Sequence, residues 1–335
     1  MYINKLYQYG EYELSDKETT MNPAWKDSIY RQREELARML REPIETIARQ
    51  ITPLWENRQQ LETMLIRYFS SIPYCTSLYV LDTNGVQICD NVGRNGIVPD
   101  HFGRDRSQRP YMKEVVPSWG FLLSDAYISQ HGRRPSLTAL QILRTENEVY
   151  GYLGADFDLR DLPVTSDLYQ EPENWRQIKG DPAIRSLLFQ QTRVESPMDR
   201  NLDQTFVILD EMLTQRGVFQ MLIHFSSSRV TMWMNDDPYR YRSLDIDALT
   251  DPDICLVYPC QPYPAEALIP AEQIMAILET FKKLRLADEN IYLRSASINL
   301  YNGMISLTFS CDGTHYMSYE EFLQKNTDFW FGAAA

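Results

Sequence analysis

The chain has 335 residues, with 33 Lys and Arg against 46 Asp and Glu and a formal net charge of -13 at pH 7. A surplus of carboxylates, with a sequence pI near 4.9, lacks the cationic field that a phosphate backbone requires, which excludes DNA and RNA as partners. With 44% hydrophobic and 24% charged residues the composition is that of a globular chain able to bury a core, as one large domain or two of ordinary size.

The first twenty residues show no basic leader followed by an apolar run, and no window approaches the roughly 18 apolar residues of a membrane helix. A soluble, cytoplasmic protein is the expectation. Five cysteines (75, 89, 255, 260 and 311) form no CxxC pair, so most are expected as buried free thiols in a reducing compartment. Four scattered histidines without an HExxH pattern argue against a metal site, and no cofactor is expected.

From Pro23 to Ser71, Leu40, Ile44, Ile47, Ile51, Leu54, Leu61 and Leu65 recur at spacings of four and three, interrupted at Arg58. This predicts a helix with a heptad-like seam, kinked or divided at Pro43 and Pro53. The seam has two readings, a homodimer contact through the N-terminal helix or packing on the chain's own domain. After Pro73 the period changes to that of strands. TSLYVLD and VQICDNV flank Asn84-Gly85, a dipeptide suited to the positive φ angles of a hairpin turn. A short helix is predicted over Pro110–Val116, with proline in its first turn. Strands follow over GFLLSDAYIS, SLTALQILRT and VYGYLGADFD, the last two joined at ENE.

Residues 164–201 are polar and punctuated by prolines, and read as a connector with one or two short helices. Beyond them TFVILDEML and AEQIMAILETFKKLRL predict helices. VFQMLIHFSS with RVTMWMN, and IYLRSASINLYNG with MISLTFSCDG, predict two strand pairs, the second turning at Asn302-Gly303. SYEEFLQK opens with a capping-box spacing at Ser318 and Glu321, and SLDIDALTDPDIC reads as a solvated acidic loop. The fold class expected is α+β: a helical region over 1–72, a sensor-like sheet domain over 73–163, the connector, and a smaller α+β domain over 202–330 that loosely repeats the order of the first.

The stretch GRDRSQRPYMKE, Gly103 to Glu114, gathers cations within an acidic chain. Arginine's planar fork stays charged and suits a carboxylate, so Arg104, Arg106 and Arg109 read either as walls of an anion pocket beside Tyr111 or as a solvated loop paired with Asp100, Asp105 and Glu114. The runs YVLDTNGVQICDN, DRSQRPYMKEVV, SDAYIS, SLTALQIL and GYLGADFDL together resemble a Cache sensor domain, the PAS-like module of bacterial chemoreceptors, sensor kinases and cyclic-dinucleotide enzymes. The likeness spans about Trp25 to Pro163.

The resemblance implies a ligand carboxylate on Arg109, an aromatic wall at Tyr111, closure by Tyr127 and a ligand ammonium on Asp156. Met112 stands where the family carries a second aromatic residue, and Arg104 where its amino-acid binders carry a tyrosine. The extra cation favours a dicarboxylate or another anion. The function expected is a non-enzymatic sensor of a small anionic or zwitterionic metabolite, an amino acid or organic acid. The rival readings are a dimeric interaction scaffold without ligand and an enzyme with its site in the C-terminal part. Asp156 also has a plain alternative as a turn or helix cap.

Overall fold

Apolar residues at three- and four-residue spacing place one stripe along one side of a helix, and the chain buries that stripe against itself. The computed structural model describes residues 24–165 and 192–325, apart from 115, 117–119, 131, 147 and 312, together with 169, 329 and 330. Helix α1 (Ala24–Ile51) runs through Pro43 without interruption. Leu36, Leu40, Ile44, Ile47 and Ile51 are fully buried on it. The expected division occurs only at Pro53, inside a 3-10 turn over Thr52–Leu54, before α2 (Arg58–Tyr68) starts from an Asn57 cap. Burial of the flanking leucine and isoleucines, about 1.5–3 kcal/mol each, outweighs the cost of a proline at 43. After Pro53 the turn gives way to the exposed Glu56 and Asn57, where the helix ends.

The stripe lies on the chain's own sheet, against β4 and β6. A homodimer through α1 therefore has only the helix's outer, polar face to use. The first sheet contains β1 (Ser77–Asp82), β2 (Asn91–Gly93), β3 (Gly96–Val98), β4 (Phe121–Leu123), β5 (Tyr127–Ile128), β6 (Pro135–Arg144) and β7 (Val149–Asp158). Its order is β3-β2-β1-β7-β6-β4, with β5 also on β6 and all pairs antiparallel. The Asn84-Gly85 turn forms as expected: Asp82 Oδ1 accepts the amides of Asn84 and Val86, and Gly85 sits at φ +82°. Its second arm is shorter than VQICDNV implied. Val86 O and the Ile88 amide still bond β1, while Gln87 donates its amide to Arg104 O and accepts from the Gly103 amide, so the arginine loop bonds the outer edge of the arm. The helix predicted over Pro110–Val116 contracts to a 3-10 turn at Pro110–Met112.

The remaining elements are α3 (Pro197–Arg200), α4 (Leu202–Gln215), β8 (Val218–His224), β9 (Arg229–Met234), β10 (Asp237–Leu244), α5 (Ile246–Leu249), α6 (Ile274–Leu286), β11 (Leu293–Asn299), β12 (Met304–Phe309), β13 (Thr314–Ser318) and α7 (Tyr319–Gln324). Strands β10 and β13 were not among the predicted elements. SLDIDALTDPDIC is not a solvated loop. Asp245 and Asp251 cap α5 and a 3-10 turn over Pro252–Leu256, and Asp253, Ile254 and Cys255 are buried. Ser318 caps α7 by accepting the Glu321 amide.

The second sheet runs β10-β9-β8-β11-β12-β13. In the first sheet the opening strand lies beside the last; here β8 lies beside β11, the fourth, so the two sheets differ in strand order. Of the predicted connector, most lies outside the described residues; α3 falls within it. One apolar core runs through both sheets. Ion pairs join them as well: Arg160 Nε reaches Glu211 Oε2 at 2.7 Å, and Arg33 bridges Asp125 and Asp253. The five cysteines are free thiols, with Cys89 and Cys255 buried but Cys260 and Cys311 exposed, fewer buried than expected. Among the described residues no helix is long and apolar enough to cross a membrane.

Candidate functional site

Alternation along the central strands sends one set of side chains into the main core under α1 and the other to the opposite face. Leu78 and Val80 of β1 and Leu153, Ala155 and Phe157 of β7 belong to the core. Tyr79 and Leu81, Leu140 and, less deeply, Tyr152 form a separate apolar cluster with Tyr111 and Tyr127. Gly154 lies between Tyr79 and Leu140 in register, and Asp156 between Ser77 and Thr138. The face opposite the helix thus carries a packed tyrosine cluster with a carboxylate at one end.

Asp156 Oδ1 accepts hydrogen bonds from Tyr79 Oη at 2.8 Å and Thr138 Oγ1 at 2.7 Å, and Tyr127 Oη lies 2.7 Å from the same threonine hydroxyl. Burial pushes the Asp156 carboxyl up, against the pull of Arg106 and of the hydrogen bonds from Thr138 and Tyr79. Solvent still reaches it, because 23% of its side-chain surface remains accessible. Desolvation and the Asp156 charge also raise Tyr79 and Tyr127 well above the ordinary phenol value. Burial and the same charge raise Tyr111 as well.

The guanidinium buried opposite Asp156 belongs to Arg106. It stacks 3.9 Å over the Tyr79 ring, donates to Gln87 Oε1 at 2.8 Å and Asn91 Oδ1 at 2.9 Å, and approaches Asp156 Oδ2 at 3.9 Å. Its loop is fixed by the Arg106 amide on Gly85 O. A Cβ at Gly85 would meet the Ser107 backbone at 3.0 Å, so the turn glycine also permits this close approach.

The structure brings Tyr111, Tyr127 and Asp156 together. Arg109 is half-buried where its loop enters the Pro110–Met112 turn, near enough to Asp156 and Tyr127 to favour their charged forms. Among the described residues its guanidinium makes no hydrogen bond or ion pair. Arg104 lies with Nη1 3.4 Å from His101 Nδ1. Tyr79, Thr138 and Gln87 were not among the expected site residues, and Arg106 was counted only as one cation of its loop. Alternation would have found two of them, since Tyr79 and Thr138 fall on the face of Asp156 once the register is known. No cluster of three or more His, Cys, Asp or Glu able to hold a metal occurs among the described residues.

No family model matches the chain, and no curated protein matches it. Solved structures similar to it include the ligand-binding domain of the Campylobacter jejuni chemoreceptor Tlp3 in complex with 4-methylisoleucine, at 14% identity and a TM-score of 0.32 over 46% of this chain and 69% of that one. The ligand-binding domain of the Pseudomonas fluorescens chemoreceptor CtaA with L-isoleucine has 20% identity and a TM-score of 0.30, over 40% of this chain and 53% of that one. An extracellular ligand binding receptor from Desulfohalobium retbaense has 12% identity and a TM-score of 0.31, over 42% of this chain and 26% of that one. The chain thus spans about half of the CtaA domain and a quarter of the Desulfohalobium receptor. Likenesses at these scores carry no argument about family or ligand; the fold stands on its own strand order.

Proposed function

We propose that residues 73–163 form a sensor domain whose chamber binds a small zwitterionic or anionic metabolite, an amino acid or an organic acid, without turning it over. The observation that carries this reading is the closeness of Arg109 to Asp156 beside the Tyr111 and Tyr127 cluster, with Arg109 free of any ion partner among the described residues and 23% of the Asp156 side chain accessible. Arg109 takes the carboxylate as a fork, Asp156 takes an ammonium, and Tyr111 and Tyr127 supply the walls. Arg106 holds the chamber floor rather than the ligand, because Gln87, Asn91 and the Tyr79 ring already occupy it. Binding acts through its preference for one arrangement of loop and sheet.

The test is calorimetric titration of amino acids and dicarboxylates into the full chain. Arg109→Ala should weaken any ligand found by more than tenfold with an unchanged melting temperature, and Asp156→Asn should discriminate against amino acids more than dicarboxylates. A panel without a single binder, or binding indifferent to Arg109→Ala, removes the reading.

A further inference from the structure

Alternation in the second sheet turns one set of side chains toward the helices and the other away from them. Met221, Ile223, Met232, Ala296, Ile298 and Leu307 belong to the main core, where α4 packs on β8 and α6 on β11. On the opposite face, Leu222, Trp233, Tyr241 and Tyr316 join neither apolar cluster. Register sets Trp233 beside Tyr241 and Gln220, and Ser297 between Leu222 and Ser306, which adjoins Tyr316.

Among the described residues that alternation sets on this face, no Asp, Glu, Lys or Arg falls inside the rim; Arg229 stands at the edge, opposite His224. In a chain with 24% charged residues and a net charge of -13, a six-stranded face without charge is where a second copy meets least repulsion. Its polar groups also engage one another: Asn299 Nδ2 donates to Gln220 Oε1 at 3.1 Å, Ser297 and Ser306 share a hydroxyl hydrogen bond, and Thr308 Oγ1 lies 2.9 Å from Thr314 Oγ1. Covering pairs of this kind strands few donors or acceptors, whereas a sugar would need those groups free.

Trp233 and Tyr241, with ring centroids 6.4 Å apart, lie on β9 and β10. The small hydroxyls of Ser295, Ser297, Ser306 and Thr308 lie on β11 and β12, with Tyr316 beyond them on β13. A two-fold axis between two such faces, running along the strands, lays β9 of one copy over β12 of the other and so sets rings on hydroxyls, the self-complementary form that an isologous contact requires. Six strands about 4.8 Å apart and about six residues long make a face of about 500 Å². Two copies then bury about 1,000 Å², the size of a reversible dimer. We propose that the open face of the second sheet is the contact between two copies of this chain, packed sheet on sheet.

The experiment is sedimentation equilibrium of the full chain from about 1 to about 100 µM. The expected result is a mass that rises from 39.3 kDa toward twice that value. The dimer should strengthen between about 20 and about 300 mM sodium chloride, because salt screens repulsion between acidic chains and leaves a neutral contact intact. Leu222→Glu and Ser306→Glu each set like charges across the contact and should weaken the dimer by about tenfold or more, with unchanged melting temperatures. Tyr241→Ala, which adds no charge, guards against misfolding of these two and should weaken it as well; Ile66→Glu, at an exposed site on α2, should not. A monomer mass at the highest concentration overturns the proposal and leaves the face to a different protein or a neutral glycan. A dimer that weakens with salt, or one equally strong in the folded variants of this face, overturns it too.

Discussion

An alanine at position 154 would put its Cβ 2.3 Å from the Tyr79 ring. That ring cannot move aside cheaply, because Arg106 stacks on it and its hydroxyl is bonded to Asp156. Gly154→Ala is expected to cost about 1–3 kcal/mol in urea denaturation and to disturb the chamber. The two arginines of the loop should behave differently. Arg106→Ala removes the cation facing Asp156 and takes the donor from Gln87 Oε1, an expected loss of about 3–5 kcal/mol. Arg109→Ala should stay within about 0.5 kcal/mol in the same denaturation series. Similar losses for both would make Arg109 a structural residue. The letters of the loop mark three arginines without ranking them, because rank depends on which one the Gly85 turn aims at the sheet.

Among the elements, α1 separates local from tertiary causes. Pro43 deprives Met39 of its amide partner inside a continuous helix, so Pro43→Ala should raise stability by up to about 3 kcal/mol, read from the urea midpoint. The stripe on either side of it is core. Ile44→Ala should cost about 2–5 kcal/mol without changing the sedimentation coefficient of the folded protein, whereas a dimer held by the seam would lose mass on the same substitution. Period and capping made α1, α2, α4, α6, α7, β6, β7 and the Asn302-Gly303 hairpin readable from the letters, but not α5. Strands β10 and β13 were not, since PYRYRS and THYMS carry too few buried residues to show alternation; β10 is exposed or half-exposed until Leu244. Edge strands hold their place by pairing with a neighbour, which no local pattern encodes.

For the whole molecule, buried carboxylates at the joint between the sheets set the pH response. Asp253 and Glu114 are pushed up to about 7 and Asp210 to about 6, each chiefly by burial. The unfolded chain has released these protons by about pH 5, so between about pH 5 and 7 the native state binds more of them and stability falls as pH rises. Asp90 and Asp199 are held below the ordinary carboxylate value despite burial, Asp90 by backbone amides and Arg58, Asp199 by Arg285 and Ser196. Their contribution is lost only as pH falls below about 4. Stability measured by urea at pH 5.5, 6.5 and 7.5 should therefore decline, and Asp253→Asn should flatten part of the decline. An unchanged slope in the variant would exclude Asp253 as a source.

By itself the sequence determined the α+β class, the amphipathic helices and the turn glycines, because these follow from the period of apolar residues and from backbone freedom within a few positions. It also marked Tyr111, Tyr127 and Asp156 as candidates. Only the tertiary structure decided that the helical seam is core and that the acidic loop is a buried joint. It also placed Arg106 rather than Arg109 on the chamber floor. Each of these depends on what lies across the sheet or beyond the turn, and burial and charge pairing at such distances are properties of the packed chain, not of any window along it.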